Sequence, residues 1–172
     1  MPRSETIQRD YLASDSLPVR KGLRPKTIVG PLHIQCNRHG DSKHLNKLVK
    51  DVLTWPYIES IPAFVNRDIV RVRLEEEAAS SDSAAFISDR EFARFLLAAP
   101  TIYLVLPLRL AQRAIARRWA EPHYLQSFGL VPAGTVVVYT PENREELAVC
   151  YFLFAEAYRF ACKFDRRRGV WA

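Results

Sequence analysis

The sequence predicts one α+β domain of two layers, in which helices pack on a small and mostly antiparallel sheet. The chain has 172 residues, of which 48% are hydrophobic and 26% charged, as expected for a single globular domain with a buried core. Apolar segments with helical spacing alternate along it with short runs of strand-forming residues. It contains no internal repeat and no heptad pattern, which excludes solenoids and coiled coils.

Three segments are predicted to be helices. The first follows an N-cap signal at Asp41, has its apolar residues on one face and stops before Pro56. The second begins at Pro107 and extends to Trp119, with apolar residues three to four positions apart. The third is a long apolar helix over residues 147–162. Each of these segments has one face suited to packing on a sheet.

Three other segments are predicted to be strands. Residues 69–74 alternate apolar side chains with arginines, which is typical of a strand with one exposed face. Residues 101–106 are apolar and bounded by prolines, which favours a buried strand, and residues 134–139 form another. Residues 75–85, rich in Glu, Ala and Ser, are expected to be a loop.

The remaining segments set the predicted domain limits. Residues 1–40 contain several prolines and glycines without a sustained period, so they are expected to form an extended arm over the domain. The folded domain is expected to cover residues 41–165. Residues 166–172 form a basic tail, and no second domain is expected.

The net charge of +6 invites a search for an anionic partner, but the tail supplies half of it through Arg166–Arg168. Arg109, Arg113 and Arg117 form a stripe along the second predicted helix, with Arg118 beside it. Such a stripe is compatible with an anion or nucleic-acid site, yet the exposed side of an amphipathic helix is the favoured interpretation. Neither an exposed aromatic series nor a known nucleic-acid module accompanies it, so nucleic acid is not the expected partner.

The cysteines and the hydropathy of the sequence indicate the cellular compartment in which the protein is expected. The three cysteines have no C-x-x-C spacing, which predicts neither a disulfide framework nor a zinc knuckle and favours the cytoplasm. The N-terminus has no apolar core typical of a secretory signal. The longest uncharged run, residues 95–108, is shorter than the roughly 20 residues of a membrane span. A soluble protein without membrane contact is therefore expected, while the oligomeric state stays open.

Common catalytic motifs are absent. The sequence has no G-x-S-x-G, P-loop, G-x-G-x-x-G or H-E-x-x-H pattern, so a bound nucleotide or zinc has no support and no cofactor is expected. No two of the four histidines stand at i,i+2 or i,i+4, so a metal site is not expected either. On the last helix, Tyr151 and Tyr158 belong to an aromatic series that either fills the core, which is favoured, or lines a ligand pocket.

Three segments resemble the fungal luciferase family. Residues 118–123, Arg-Trp-Ala-Glu-Pro-His, are similar to a Gly-Trp-x-x-x-His element of that family. Residues 134–147 resemble the strand and the Tyr-Ala-Pro-Arg-x-Glu-Glu-Leu helix start that follow it, and Gly22-Leu23-Arg24-Pro25 resembles a Gly-x-Arg-Pro element of its N-terminal arm. The resemblance implies cofactor-free chemistry on a small molecule, since the family's luciferase adds dioxygen to a hydroxylated pyrone without metal, flavin or nicotinamide.

This chain departs from the family pattern at a histidine cluster that includes His-x-His. Arg94, Leu96 and Tyr103 fall near those positions, and the corresponding stretch has no histidine. The departure disfavours the light-emitting oxygenation. His123 keeps its matching position and is predicted to act as a general base that Glu121 orients.

The predicted catalytic residues are therefore His123, Tyr103 and Arg94. Tyr103 is expected to hydrogen-bond a substrate oxygen, and Arg94 to stabilise an enolate. The predicted substrate-binding residues are two on the last helix and three in the resembling segments: Tyr151, Tyr158, Trp119, Tyr139 and Arg24.

Three functions stay open at this point. The first is a cofactor-independent biosynthetic enzyme of fungal secondary metabolism, which cyclises, isomerises or rearranges an aromatic or polyketide-like molecule by acid–base catalysis. The second is a cofactor-free oxygenase that resembles fungal luciferase. The third is a non-catalytic binding module that contacts an acidic partner through its arginines.

Overall fold

The structure, a computed structural model, describes residues 17–59 and 68–163. These residues form three α-helices and eight strands, and the strands make up two sheets. The helices are α1 (Ser42–Val52), α2 (Leu108–Ala116) and α3 (Arg144–Ala161). The strands are β1 (Thr27–Ile28), β2 (Ile34–Gln35), β3 (Ile58–Glu59), β4 (Ile69–Leu74), β5 (Glu91–Leu96), β6 (Thr101–Val105), β7 (Ala120–Pro122) and β8 (Thr135–Val138).

The main sheet has six strands in the order β3-β4-β5-β6-β8-β7, and every neighbouring pair is antiparallel. Strands β1 and β2 pair antiparallel in a separate small sheet. The predicted class, α+β with helices on a mostly antiparallel sheet, is confirmed.

Local sequence signals explain where two of the helices start. Asp41 caps α1, because its side chain accepts a hydrogen bond from the backbone N–H of Lys43. Asn143 does the same for α3 by accepting from the backbone N–H of Glu146. Helix α3 therefore begins at Arg144, three residues before the predicted start.

Helix α2 is shorter than predicted. It ends at Ala116, and Arg118 then adopts the left-handed conformation with φ of 68°. This conformation cannot continue a right-handed helix, so Trp119 lies in the turn before β7 and not on a helical face. The predicted stripe of arginines therefore ends with the helix, because Arg117 and Arg118 lie beyond its last residue.

Strands β5 and β7 were not predicted. Strand β5 carries Glu91 and Arg94 among its apolar residues, which obscures the alternation, and β7 has only three residues and includes Pro122. Both owe their structure to pairing with neighbours that are distant in sequence, which local patterns do not show.

Side chains alternate between the two faces of the main sheet. One face packs on the helices: Phe95 stacks on Phe154 of α3 with ring centroids 5.1 Å apart, and Leu104 and Val136 join the same core. We call this the helix face. The opposite face carries a second cluster around Tyr103 and Val137, and we call it the arm face.

The arm, residues 17–40, starts at the helix-face core, which includes Leu17, and its β1–β2 hairpin lies on the arm face. Ile34 packs on the cluster formed by Leu96, Tyr103 and Val137, and the backbone N–H of Gln35 donates to Oγ1 of Thr101 at 2.9 Å. The predicted arm thus covers the sheet, while its first sixteen residues and the tail at 166–172 lie outside the described residues. No helix among the described residues is both long and apolar enough to cross a bilayer.

Candidate functional site

A row of side chains crosses the arm face from strand to strand. Arg94 on β5 pairs with Tyr103 on β6, Tyr103 pairs with Val137 on β8, and Val137 pairs with Glu121 on β7. Paired residues of antiparallel strands point to the same face of a sheet. The register therefore aligns residues that lie up to 43 positions apart in the chain. His123, two positions beyond Glu121, falls on the same face.

The structure brings the three predicted catalytic residues together. The ring of Tyr103 meets the ring of His123 edge to face, with centroids 4.4 Å apart, and Arg94 is the cross-strand neighbour of Tyr103. Their catalytic roles stay predictions, because proximity alone does not test them.

Arg94 is already engaged by a carboxylate. Its Nε and Nη2 donate to the two carboxylate oxygens of Glu91 at 2.6 and 3.0 Å. Glu91 is almost completely buried and also accepts a hydrogen bond from Ser88. A bidentate pair of this kind fixes the guanidinium, so Arg94 acts on the site mainly through its charge.

Tyr103 presents a hydroxyl whose proton has no acceptor. Its side chain is 3% exposed, and no described residue makes a hydrogen bond of normal geometry with its Oη. Burial raises its pKa to about 12, and two smaller effects oppose this: the charge of Arg94 and the approach of the His33 backbone N–H to Oη. The hydroxyl therefore stays protonated at neutral pH. It is a buried donor, and such groups usually find a partner.

His123 is buried and neutral. Its Nδ1 accepts a hydrogen bond from the backbone N–H of Leu125 at 3.2 Å, which assigns the ring proton to Nε2. Burial, helped by the nearby charge of Arg94 and by His33, lowers its pKa to about 4. The sequence predicts His123 as a base that Glu121 orients. In the structure Leu125 orients the ring, the hydrogen bonds of Glu121 go to other side chains, and this tautomer of His123 presents an N–H donor.

The buried state of His123 predicts an acid-sensitive fold. In the unfolded chain the imidazole has its ordinary pKa of 6.5, so it becomes protonated as the pH falls below that value. In the folded chain it stays neutral down to about pH 4, so acid favours the unfolded state. Between pH 7 and pH 5 we expect His123 to remove about 2 kcal/mol from the free energy of unfolding. Urea titrations of the protein and of His123→Gln at both pH values measure this contribution as a difference. An identical pH dependence of the two proteins would contradict the assignment.

Glu121 is the centre of a second group of side chains on the arm face. Its Oε1 accepts from Thr27 Oγ1 at 2.6 Å and from His33 Nε2 at 2.5 Å, and its Oε2 accepts from the Tyr139 hydroxyl at 2.7 Å. Burial raises the pKa of Glu121, but the three hydrogen bonds outweigh it and hold that pKa below its usual value. Burial, together with the hydrogen bond to Glu121, raises the pKa of Tyr139. Glu121 is therefore an ionised, half-buried carboxylate.

His33 is the site residue that the sequence did not reveal. It is 2% exposed, its Nδ1 accepts from the backbone N–H of Tyr124, and its ring lies 5.9 Å from that of His123. His33 and Glu121 are 88 positions apart in the chain. A single histidine in a proline-rich arm carries no local signal of burial, so only the fold reveals it.

The predicted substrate-binding residues of the resembling segments fall in different places. Tyr139 joins the site through its hydrogen bond to Glu121. Trp119 packs in the core of the helix face, and its Nε1 donates to the backbone oxygen of Pro18 at 2.6 Å. Arg24 is exposed, and its Nη2 contacts the backbone oxygen of Ile115 at 3.4 Å. Trp119 and Arg24 thus hold the arm in this structure.

The two tyrosines of α3 lie on the other side of the sheet. Tyr158 is buried in the core of the helix face, and its hydroxyl donates to the backbone oxygen of Pro56 at 2.7 Å. Tyr151 packs against the same core and donates to Asp51. The structure therefore does not bring them to Tyr103 and His123, and it agrees with the core interpretation of this series.

Two surface cavities lie away from the cluster. A cavity of about 320 Å³ is lined from residues 83–86 and 129–133, and one of about 150 Å³ from residues 39–46 with Leu97 and Pro100. Neither is lined by Tyr103, His123 or Glu121. Across residues 17–59 and 68–163, no three His, Cys, Asp or Glu side chains converge as a metal site would require.

The match to a known family coincides with this row of side chains. Residues 89–157 match the Luciferase domain family. Over these residues the chain is luciferase-like. The match spans β5 to most of α3 and so includes Arg94, Tyr103, Glu121 and His123, while His33 lies outside it on the arm. No curated protein and no solved structure matches the chain.

The luciferase-like domain thus supplies one half of the site and the arm the other. The domain contributes buried donors at Tyr103 and His123 and an ionised acceptor at Glu121. The arm contributes Thr27 and His33, which bind that acceptor. The predicted luciferase-like assignment is confirmed by the family match.

Proposed function

We propose that this protein is a cofactor-independent enzyme that acts by acid–base catalysis on a hydroxylated aromatic or polyketide-like small molecule. The observation that carries the proposal is the buried Tyr103 hydroxyl, whose O–H has no acceptor among the described residues and which lies against the neutral ring of His123. An oxygen atom of a substrate would supply the missing partner.

The donors of the site suit an oxygen that gains negative charge. The Tyr103 O–H and the His123 Nε2–H would both donate to an enolate or phenolate oxygen, and Arg94 adds a positive charge nearby. Fixed donors in a buried site stabilise a developing charge more strongly than water does. These three residues would therefore bind the anionic form of the substrate.

Glu121 is the candidate proton acceptor. Its Oε2 accepts one hydrogen bond, from Tyr139, and a carboxylate oxygen has two lone pairs. In the proposed step, a substrate C–H next to a carbonyl breaks, its proton goes to Glu121 and the electron pair goes to the carbonyl oxygen. Return of the proton to another carbon completes an isomerisation. In a cyclisation, the carbon that lost the proton attacks a second carbonyl carbon of the same molecule, and the alkoxide that forms takes the proton back from Glu121. Neither outcome needs an oxidant.

A cofactor-free oxygenase is the second candidate, because the domain is luciferase-like. The same donors would hold a substrate anion, which would then pass an electron to dioxygen. The two candidates differ in one requirement, since only the oxygenase consumes dioxygen.

The test is turnover of small molecules by the purified protein. Hydroxylated pyrones and polyketide-like phenols are incubated with the protein, with and without dioxygen, and the products are followed by mass spectrometry. We expect products of unchanged mass in both atmospheres, and a loss of about 100-fold in rate for His123→Gln, the range of a missing proton donor. The matched control is His44→Gln, because His44 lies on α1 and not in the site.

Two results would decide against the proposal. Products that gain oxygen and form only in air would favour the oxygenase. Equal rates for His123→Gln and the unchanged protein would show that the conversion occurs elsewhere.

A further inference from the structure

The site is closed in this structure, and the arm is what closes it. Tyr103 is 3% exposed and His123 is 4% exposed, although an enzyme must admit its substrate. Ile34 of the arm packs directly on the cluster that includes Tyr103. Access therefore requires that some part of the arm moves.

The arm is anchored firmly before the hairpin that β1 and β2 form at residues 27–35. Arg20 is buried and its Nη2 pairs with Glu146 at 2.9 Å and with Glu142 at 3.3 Å. The indole N–H of Trp119 binds the backbone oxygen of Pro18. These contacts involve α3 and the turn before β7, and none of them touches the hairpin.

The arm is anchored again after the hairpin. Gln35 donates its backbone N–H to Thr101 and accepts from the backbone N–H of Thr140 through its side chain. Arg38 binds both carboxylate oxygens of Glu142, at 2.5 and 3.0 Å. Gly40 then passes close to Glu142 with φ of 65°, where a Cβ would come within 2.3 Å of Glu142 Cα.

Between the anchors, residues 27–34 are held much more weakly. Strands β1 and β2 have two residues each. Ile28, Val29 and Leu32 are between 57 and 62% exposed, so the turn buries little apolar surface. Two side chains of this stretch bind the domain. Thr27 and His33 both donate to the same oxygen of Glu121, and Nδ1 of His33 also accepts from the backbone N–H of Tyr124 at 3.2 Å. The backbone N–H of His33 approaches the Tyr103 hydroxyl as well. Segments with few buried contacts open at low cost.

We propose that residues 27–34 form a lid over the Tyr103–His123 site, and that Glu121 holds the lid shut through Thr27 and His33. The proposal rests on the proposed function, because it concerns access to the same site. Thr27 and His33 are then positioning residues. They orient the Glu121 carboxylate when the lid closes and leave it when the lid opens.

The lid explains two observations together. The O–H of Tyr103 has no acceptor because the closed lid keeps the hydroxyl away from solvent. The lid also explains why Glu121, the proposed proton acceptor, receives hydrogen bonds from Thr27 and His33, which lie outside the luciferase-like domain. Closure over a substrate would therefore complete the site and exclude water in one movement.

Hydrogen exchange of the full chain, followed by mass spectrometry without any substrate, tests the lid. In the unchanged protein we expect the amides of residues 27–34 to exchange faster than those of residues 35–40. Thr27→Val keeps the size of the side chain and removes one donor to Glu121, so exchange of residues 27–34 should rise about tenfold while residues 35–40 keep their rate. Thr27→Ser restores the hydroxyl and should restore the original rate.

The matched control is Thr54→Val, whose hydroxyl bonds locally to the backbone oxygen of Asp51 at the end of α1. It should leave the exchange of residues 27–34 unchanged. The lid is refuted if Thr27→Val and Thr54→Val exchange alike over residues 27–34, or if residues 17–40 exchange as one unit. Because no substrate is used, failure of the lid and failure of the proposed function are separate results.

Discussion

Replacing Arg20 with alanine is expected to lower the free energy of unfolding by about 3–5 kcal/mol, the usual cost of removing one partner of a buried ion pair. Arg20 is 2% exposed, and the change leaves Glu146 buried without its cation. The guanidinium also lies over the rings of Trp119 and Tyr139, 6.0 and 5.6 Å from their centroids, and this cation–π contact would be lost as well.

Urea unfolding measures this effect, and Lys21→Ala is the matched control. Lys21 is the exposed neighbour of Arg20, so its loss should change the free energy of unfolding by less than about 0.5 kcal/mol. Arg20→Ala combined with Glu146→Gln should cost less than the sum of the two single changes, because they remove one shared interaction. A loss of under about 1 kcal/mol for Arg20→Ala would show that this pair does not anchor the arm.

The arm shows best what the sequence could not predict. Its extended course over the domain follows from its prolines and glycines, and the structure confirms that course for residues 17–40. The burial of Arg20 and His33 does not follow from the sequence. An isolated arginine or histidine in such a segment is usually solvated, and these two are buried because the arm meets Glu146 and Glu121 of the domain.

Within the domain, elements with a strong local pattern were predictable. Strand β6 is five buried residues between prolines, and α1 combines an N-cap with one apolar face. The end of α2 was not predictable, since it depends on the left-handed conformation of a single residue, Arg118. An arginine gives no advance sign of that conformation.

For the site, the sequence predicted some of the residues that meet but not how they would be bonded. Arg94, Tyr103 and His123 do converge, as the family resemblance implied. The tautomer of His123 depends on the backbone of Leu125, and the state of Glu121 depends on Thr27 and His33. Such partners are set by tertiary structure, so residue types alone cannot give them.

Replacing Tyr103 with phenylalanine is expected to stabilise the protein and to inactivate it. The change removes a buried hydroxyl whose O–H has no acceptor among the described residues, and the burial of such a group costs about 1–3 kcal/mol. We therefore expect the free energy of unfolding to rise by about that amount. The same hydroxyl is the proposed donor to the substrate oxygen, so turnover should fall about 100-fold.

Tyr158→Phe is the matched control for this combination of higher stability and lower turnover. Its hydroxyl donates to the backbone oxygen of Pro56 at 2.7 Å, so its removal should lower the free energy of unfolding by about 1 kcal/mol and leave turnover unchanged. Urea unfolding and product formation are measured on both variants. A gain in stability with normal turnover for Tyr103→Phe would remove Tyr103 from the catalytic residues. A loss of stability would show that its hydroxyl already has a partner in the closed protein. Only the combination of higher stability and lower turnover supports a hydroxyl that is kept unpaired for a substrate, since functional sites often reduce the stability of a fold.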